Sequence, residues 1–155
     1  MSFMEQFSFL EEIGKNRLLI SALIGWLSAQ ILKTLINLLL TKQFRAERLI
    51  GSGGMPSSHS ATVCALLVSA GILYGCASAE FAISFVMGII VMYDAMGVRR
   101  ETGKQAKLLN LMVRTFQHEH KELPEKLLKE YIGHTPLQVF AGAVLGIIIG
   151  ILCCY

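Results

Sequence analysis

Four long apolar segments constrain what this chain can fold into more than any other feature of its sequence. They cover residues 18–40, 60–74, 79–97 and 136–155. A helix needs about 20 mostly apolar residues to cross a hydrocarbon layer of about 30 Å. Hydrophobic residues make up 54% of the chain, a share too high for an ordinary soluble domain. We therefore predict an all-α fold, a single domain over residues 1–155 that forms an integral membrane helical bundle with about four transmembrane spans.

Basic residues are distributed unevenly between the connecting segments. Of the 14 Lys and Arg residues, 11 lie in segments 41–58 and 97–135. Four spans put these two segments on the same side of the membrane, and positive charge marks the cytoplasmic side. We expect a multi-pass cell-membrane protein with both segments in the cytoplasm, an orientation that Lys15 and Arg17 weakly oppose. A basic surface also attracts anionic lipid, which is a second explanation for the charge.

The long cytoplasmic segment has helical patterning rather than the composition of a linker. Apolar residues recur at helical spacing between residues 108 and 116, among polar and charged neighbours. This pattern predicts an amphipathic helical segment along the cytoplasmic membrane surface.

Helix start and stop signals fix the position of one histidine. A helix that begins at Pro124 should end at Gly133, because glycine suits the left-handed C-terminal cap. Thr135 can then cap the last span, with Pro136 at its first position. His134 is thus expected in a short corner between two helices.

A glycine-rich loop precedes the second span, with the sequence Gly-Ser-Gly-Gly-Met-Pro-Ser-Ser-His-Ser over residues 51–60. Glycines let backbone N–H groups approach an anion, and a helix start leaves several N–H groups without partners. His59 adds a proton donor or nucleophile, or it only caps the helix. The residues expected to hold a phosphate are Gly53, Gly54, Ser57 and Ser58.

The third span delivers charged residues to the level of both histidines. Asp94 ends that span, and Arg99 and Arg100 follow it. Arginine binds phosphate oxygens through paired hydrogen bonds, and two histidines beside a phosphate suit covalent phosphoryl transfer. The alternatives are that the arginines set topology and contact lipid, and that Asp94 pairs with an arginine at membrane depth.

These motifs resemble the type 2 phosphatidic acid phosphatase superfamily, which includes the vanadium haloperoxidases. They are most similar to its divergent branch of small membrane proteins. Segment 53–61 resembles the superfamily's Pro-Ser-Gly-His motif, with Ser58 in place of the glycine. Segments 93–100 and 133–136, with Gly142 and Gly146, look like signatures of the divergent branch. The resemblance implies these roles: His134 as the nucleophile, His59 as the general acid, and Arg99 or Arg100 as a phosphate ligand.

Several positions depart from the superfamily pattern. Arg100 and His134 are 34 positions apart, whereas the superfamily has its arginine and nucleophilic histidine in one short motif. Gln138 occupies the position of the carboxylate expected four residues after that histidine. An amide can orient an imidazole N–H but does not stabilise imidazolium as a carboxylate does, so either Asp94 takes that role or the activity is weak.

The superfamily's first motif, a lysine followed by arginine and proline, has no clean counterpart. Lys42 and Arg48 are the nearest pair, and no proline follows Arg48. Lys33, inside the first span, can either extend to the interface or reach a phosphate. Four spans are fewer than the six helices usual in the superfamily, so we also consider a homodimer.

The sequence thus favours a membrane phosphatase that hydrolyses a lipid phosphate monoester or prenyl diphosphate at the cytoplasmic interface through a phosphohistidine. We expect no metal or other cofactor and no nucleic-acid partner; the lipid bilayer and a phosphorylated lipid are the expected partners. The alternative is a non-catalytic membrane protein that binds anionic lipid or a partner through its basic cytoplasmic face.

Overall fold

The computed structural model describes residues 11–43, 54–119 and 133–155, and its main elements are helices. They are α1 (Arg17–Thr41), α2 (Ser58–Tyr74), α3 (Ala79–Met96), α4 (Val98–Glu119) and α5 (Pro136–Cys154). The helix expected to end at Gly133 lies outside the described residues, as do Gly53 and Arg48.

The helices confirm the prediction of an all-α membrane bundle. In the described part of the chain, three stretches are long and apolar enough to cross a membrane: Arg17–Thr41, Ala79–Thr115 and Pro136–Cys154. The second of these contains α3. The fourth apolar helix, α2, is shorter at 17 residues. Large apolar side chains cover the outer surfaces of α1, α3 and α5, as contact with lipid requires.

Side-chain caps explain where the helices begin. Asn16, Ser57, Ser78 and Thr135 each precede a helix and accept a hydrogen bond from a backbone N–H in its first turn. Each cap satisfies one of the N–H groups that a helix start leaves without a partner. The expected start of α5, with Thr135 as cap and Pro136 in the first turn, is confirmed.

Glycines on α5 hold it against α2. A Cβ added at Gly142 or Gly146 would overlap the carbonyl oxygens of Ser57 and Ala61, and one added at Gly150 would lie 2.8 Å from that of Ala65. Both sets of residues increase in steps of four, so α2 and α5 run parallel with their N-terminal ends together. Small residues at this spacing allow the close backbone approach that drives helix association in membranes.

Helix α2 lies at the centre of the bundle. It packs against α1, α3 and α5. Helix α1 also packs against α5, and α3 touches α5 more sparsely, while α1 and α3 make no mutual contact among the described residues. The α2–α5 pair therefore separates α1 from α3.

Helix α4 follows α3 directly after Gly97, and the expected amphipathic helix is confirmed as a helix. Among the described helices it packs only on α3. Leu108, Leu111 and Met112 are at least half exposed. These side chains form an exposed apolar strip on a helix that also carries many charged residues, the pattern of a helix at a membrane interface.

Candidate active site

Two histidines meet at the end of the bundle where α2 and α5 begin. The ring centroids of His59 and His134 are 5.7 Å apart, with the rings inclined at 67°. His59 belongs to the first turn of α2, and His134 precedes the cap of α5. Because the two helices are parallel, residues 75 positions apart in the sequence come together.

Backbone hydrogen bonds connect three helices around this pair. The N–H of His134 donates to the carbonyl of Ala95 at the end of α3, at 3.0 Å. The N–H of Ser57 donates to the carbonyl of Gln138, also at 3.0 Å. These contacts set the backbone positions of both histidines independently of their side chains, so the site is built into the packing of the bundle.

Gln138 determines how the His134 ring is held. Its Oε1 lies 3.1 Å from the backbone N of Thr135 and 3.1 Å from Nδ1 of His134. A backbone N–H can only donate, so the atom facing Thr135 must be the amide oxygen. That oxygen can only accept from His134, which places a proton on Nδ1. In the neutral ring Nε2 then carries the lone pair.

His134 itself is only 2% exposed. It directly precedes Thr135, the cap of α5, so the ring is buried where a helix N-terminus begins.

Two serines stand at the start of α2, where Ser57 packs against Gly142 of α5. Ser57 is fully buried and caps α2, its Oγ accepting from the N–H of Ser60 at 3.4 Å. Ser58 is also buried. Gly54 has φ +88°, a conformation that favours glycine and turns the chain toward the helix start.

The predicted charged residues lie at the ends of three different helices, α1, α3 and α4. Asp94 is half-buried in the last turn of α3, next to the carbonyl that His134 contacts. Arg99 and Arg100 lie in the first turn of α4, and their side chains are outside the described residues. Lys42 is exposed in the left-handed cap that ends α1, and its N–H donates to the carbonyl of Leu38.

Lys33 lies inside the bundle rather than at its surface. It is 2% exposed and has an interaction partner in the chain. Gln30, one turn earlier, is also buried.

Sequence reasoning did not single out Gln30 or Ala95. Gln30 could have been found from the sequence, because it is a polar amide three residues before a lysine in an otherwise apolar span. Ala95 contributes only its backbone carbonyl, which no side-chain pattern reveals.

The fold and the site together define an all-helical integral membrane protein with a paired-histidine site at one end of the bundle. The chain belongs to the divergent PAP2 family, whose sequence profile matches residues 14–149. It is 36% identical over 154 residues to the protein named "Uncharacterized membrane protein YuiD" of Bacillus subtilis (strain 168), an alignment covering 93% of this chain and 98% of that protein. No solved structure matches the chain.

Proposed function

We propose that the protein is a membrane phosphatase that hydrolyses a lipid phosphate monoester or a prenyl diphosphate at the cytoplasmic interface. The observation that carries this proposal is the His59–His134 pair, with ring centroids 5.7 Å apart and with Gln138 accepting the Nδ1 proton of His134. Membership of a phosphatase-related family supports the reaction type.

In the first step, Nε2 of His134 attacks the phosphorus atom of the substrate. A P–N bond forms while the bond from phosphorus to the leaving oxygen breaks. His59, protonated at this stage, donates its proton to that oxygen and becomes neutral. The products are the alcohol, or the lipid monophosphate when the substrate is a diphosphate, and a phosphohistidine.

In the second step, water attacks the phosphorus atom of the phosphohistidine. Neutral His59 accepts a proton from this water, and the P–N bond breaks as the new P–O bond forms. Its electron pair returns to Nε2, so inorganic phosphate leaves and both histidines recover their starting protonation. The Gln138 bond keeps the proton on Nδ1 throughout.

Groups around the histidines would hold the three non-bridging oxygens. The hydroxyls of Ser57 and Ser58 and the N–H groups near Gly54 are candidates on the α2 side. Arg99 and Arg100 are candidates on the α4 side, where guanidinium groups would balance the negative charge that accumulates in the transition state.

A phosphate-release screen of the purified full-length protein in detergent tests this function. The substrates are phosphatidic acid, phosphatidylglycerophosphate and polyprenyl diphosphates, and the control is the His134→Ala protein, shown to be folded. We expect release from at least one substrate by the native protein and none by the control. Release from none by folded native protein would contradict the proposal and favour a lipid-binding role for the basic face.

A further inference from the structure

Helix α4 has one buried face, formed by Gly103, Ala106 and Asn110. These residues follow one another at spacings of three and four positions, which places them on the same side of the helix. Ala106 is 8% exposed and Asn110 is 5% exposed, and Gly103 is also buried. On the opposite side Leu108 is 59% exposed. A helix buried on one side only has another part of the protein packed against that side.

The described helices do not supply this partner. Among them, α4 packs only on α3, the helix that leads into it. Helical hydrogen bonds run across the junction, since the N–H of Gly97 donates to the carbonyl of Tyr93 at 2.8 Å and the N–H of Glu101 donates to the carbonyl of Gly97 at 3.1 Å. Helix α4 therefore continues beyond the end of α3 instead of turning back along it.

Residues 120–132, which lie outside the described residues, are joined to the chain at both ends of α4. They follow Glu119, the last residue of that helix. They lead to His134, whose N–H donates to the carbonyl of Ala95 at 3.0 Å, close to the point where α4 begins. The other segments outside the described residues are not joined to α4.

The length of residues 120–132 restricts their path. Helix α4 rises about 32 Å between Val98 and Glu119. The 13 residues of the segment span about 20 Å as one continuous helix and at most about 47 Å when fully extended. A segment of this length that has to return over about 32 Å must run back beside α4, whatever its conformation.

The composition of this segment suits the buried face of α4. Its large apolar residues recur mostly at spacings that a helix places on one side: Leu123, Leu127, Leu128, Tyr131 and Ile132. Large side chains can approach closely where a helix presents glycine and alanine. Three Glu residues balance the three Lys residues of the segment, so the basic residues of α4 do not repel it.

We propose that the buried face of α4 is the docking surface of residues 120–132, so that residues 98–132 form an arm that folds back on itself. Both ends of this arm lie beside the histidine pair, with Arg99 and Arg100 at its start and His134 shortly after its end. The arm thereby brings together residues that are far apart in the sequence. The exposed side of α4, which includes Leu108, stays available to lipid.

Disulfide crosslinking in the full-length protein tests this docking. In a cysteine-free background, Ala106→Cys is combined with Leu127→Cys or with Leu128→Cys, because a segment that returns evenly from Glu119 to His134 passes Ala106 near residue 127. A disulfide requires Cα atoms within about 7 Å of each other. After mild oxidation we expect at least one pair to lose both maleimide-reactive thiols, and mass spectrometry identifies the linked peptides.

Leu108→Cys, combined with the same two partners, is the matched control. Leu108 lies within one turn of Ala106 but on the exposed side of the helix, so we expect its pairs to keep both reactive thiols. Equal oxidation of the two sets of pairs would overturn the proposal, and so would the absence of a disulfide in both Ala106→Cys pairs.

Two further variants identify any other occupant of the buried face. A disulfide between Ala106→Cys and Ile50→Cys would assign the face to residues 44–53, and a disulfide-linked dimer of the single variant Ala106→Cys would assign it to a second copy of the chain. Either result would overturn the proposal. If Ala106→Cys does not fold, Val113→Cys with Leu123→Cys carries the same expectation at a half-buried position further along α4.

Discussion

At the scale of single residues, Gln138 holds the His134 ring in its orientation. The same amide oxygen accepts from the Thr135 N–H that starts α5 and from Nδ1 of the imidazole. The hydrogen bond that caps α5 and the one that orients the His134 ring thus share a single acceptor atom, Oε1 of Gln138. An amide achieves the orientation without a negative charge, so stabilisation of any imidazolium must come from elsewhere, and Asp94 is the described carboxylate closest in the chain to the backbone contact of His134.

Gln138→Leu should slow phosphoryl transfer more than it destabilises the protein. Loss of the acceptor lets the Nδ1 proton move to Nε2, and we expect the rate of phosphohistidine formation to fall roughly 10- to 100-fold. Rapid-quench measurement of the labelled intermediate gives this rate. Thr135→Ala is the control, since it removes the cap, costs about 0.5–2 kcal/mol of stability and leaves the Gln138–His134 bond. Equal rates for the two variants would show that ring orientation is not rate-determining.

The position of His134 could be predicted from local signals, and the burial of Lys33 could not. Glycine before His134 and Thr135-Pro136 after it specify a helix boundary through short-range backbone chemistry. The environment of Lys33 depends on which face of α1 packs against α2. In an apolar span, the sequence does not distinguish the face that packs inside the bundle from the face that contacts lipid. The close approach of Gly25 to Ala61 selects the face, and this contact appears only in the folded bundle.

At the scale of helices, the pairing of α2 with α5 assembles the site. Both N-terminal ends must lie side by side for the histidine rings to meet, and the glycines of α5 allow the backbones to approach closely enough. The sequence predicted both helices from their apolar runs and caps. It also predicted that both helices begin on the same side of the membrane, but not that they pack directly on each other, because four-residue glycine spacing does not identify the partner helix.

Gly146→Ala should separate α2 from α5. The added methyl would overlap the carbonyl of Ala61 and lie 2.9 Å from Cβ of Cys64, so one helix must move. We expect a loss of about 1–3 kcal/mol and reduced activity. Gly88→Ala is the matched control, because its Cβ would meet only Val63, at 4.0 Å, and the better helix propensity of alanine should leave stability equal or higher. Thermal unfolding in detergent compares the two; equal melting temperatures would refute the packing role.

At the scale of the whole molecule, the residues of the proposed site lie at one end of the bundle. Helices α2 and α5 begin there, and α3 reaches it at Ala95, whose carbonyl accepts from the N–H of His134. A phosphorylated lipid could keep its apolar tail in the bilayer while only its headgroup meets the histidines. The basic residues around this end would raise the local concentration of anionic lipids.

Segments 41–58 and 97–135 should both face the cytoplasm. Their positive charge predicts this orientation, and the proposed site requires a shared side. Single cysteines at Ser52 and Gln117, in a cysteine-free background, can be labelled with a membrane-impermeant maleimide in intact and inverted vesicles. We expect both positions to react from the cytoplasmic side. Labelling from opposite sides would contradict the topology and the site together.

The central claim is that His134 receives the phosphoryl group, and direct detection of phosphohistidine tests it. Native protein quenched during turnover should carry an acid-labile, alkali-stable phosphate at residue 134. His134→Ala should form none, while His59→Ala should still form some from substrates with good leaving groups, because only proton donation is removed. A folded His134→Ala protein that keeps near-normal lipid phosphatase activity would contradict the account.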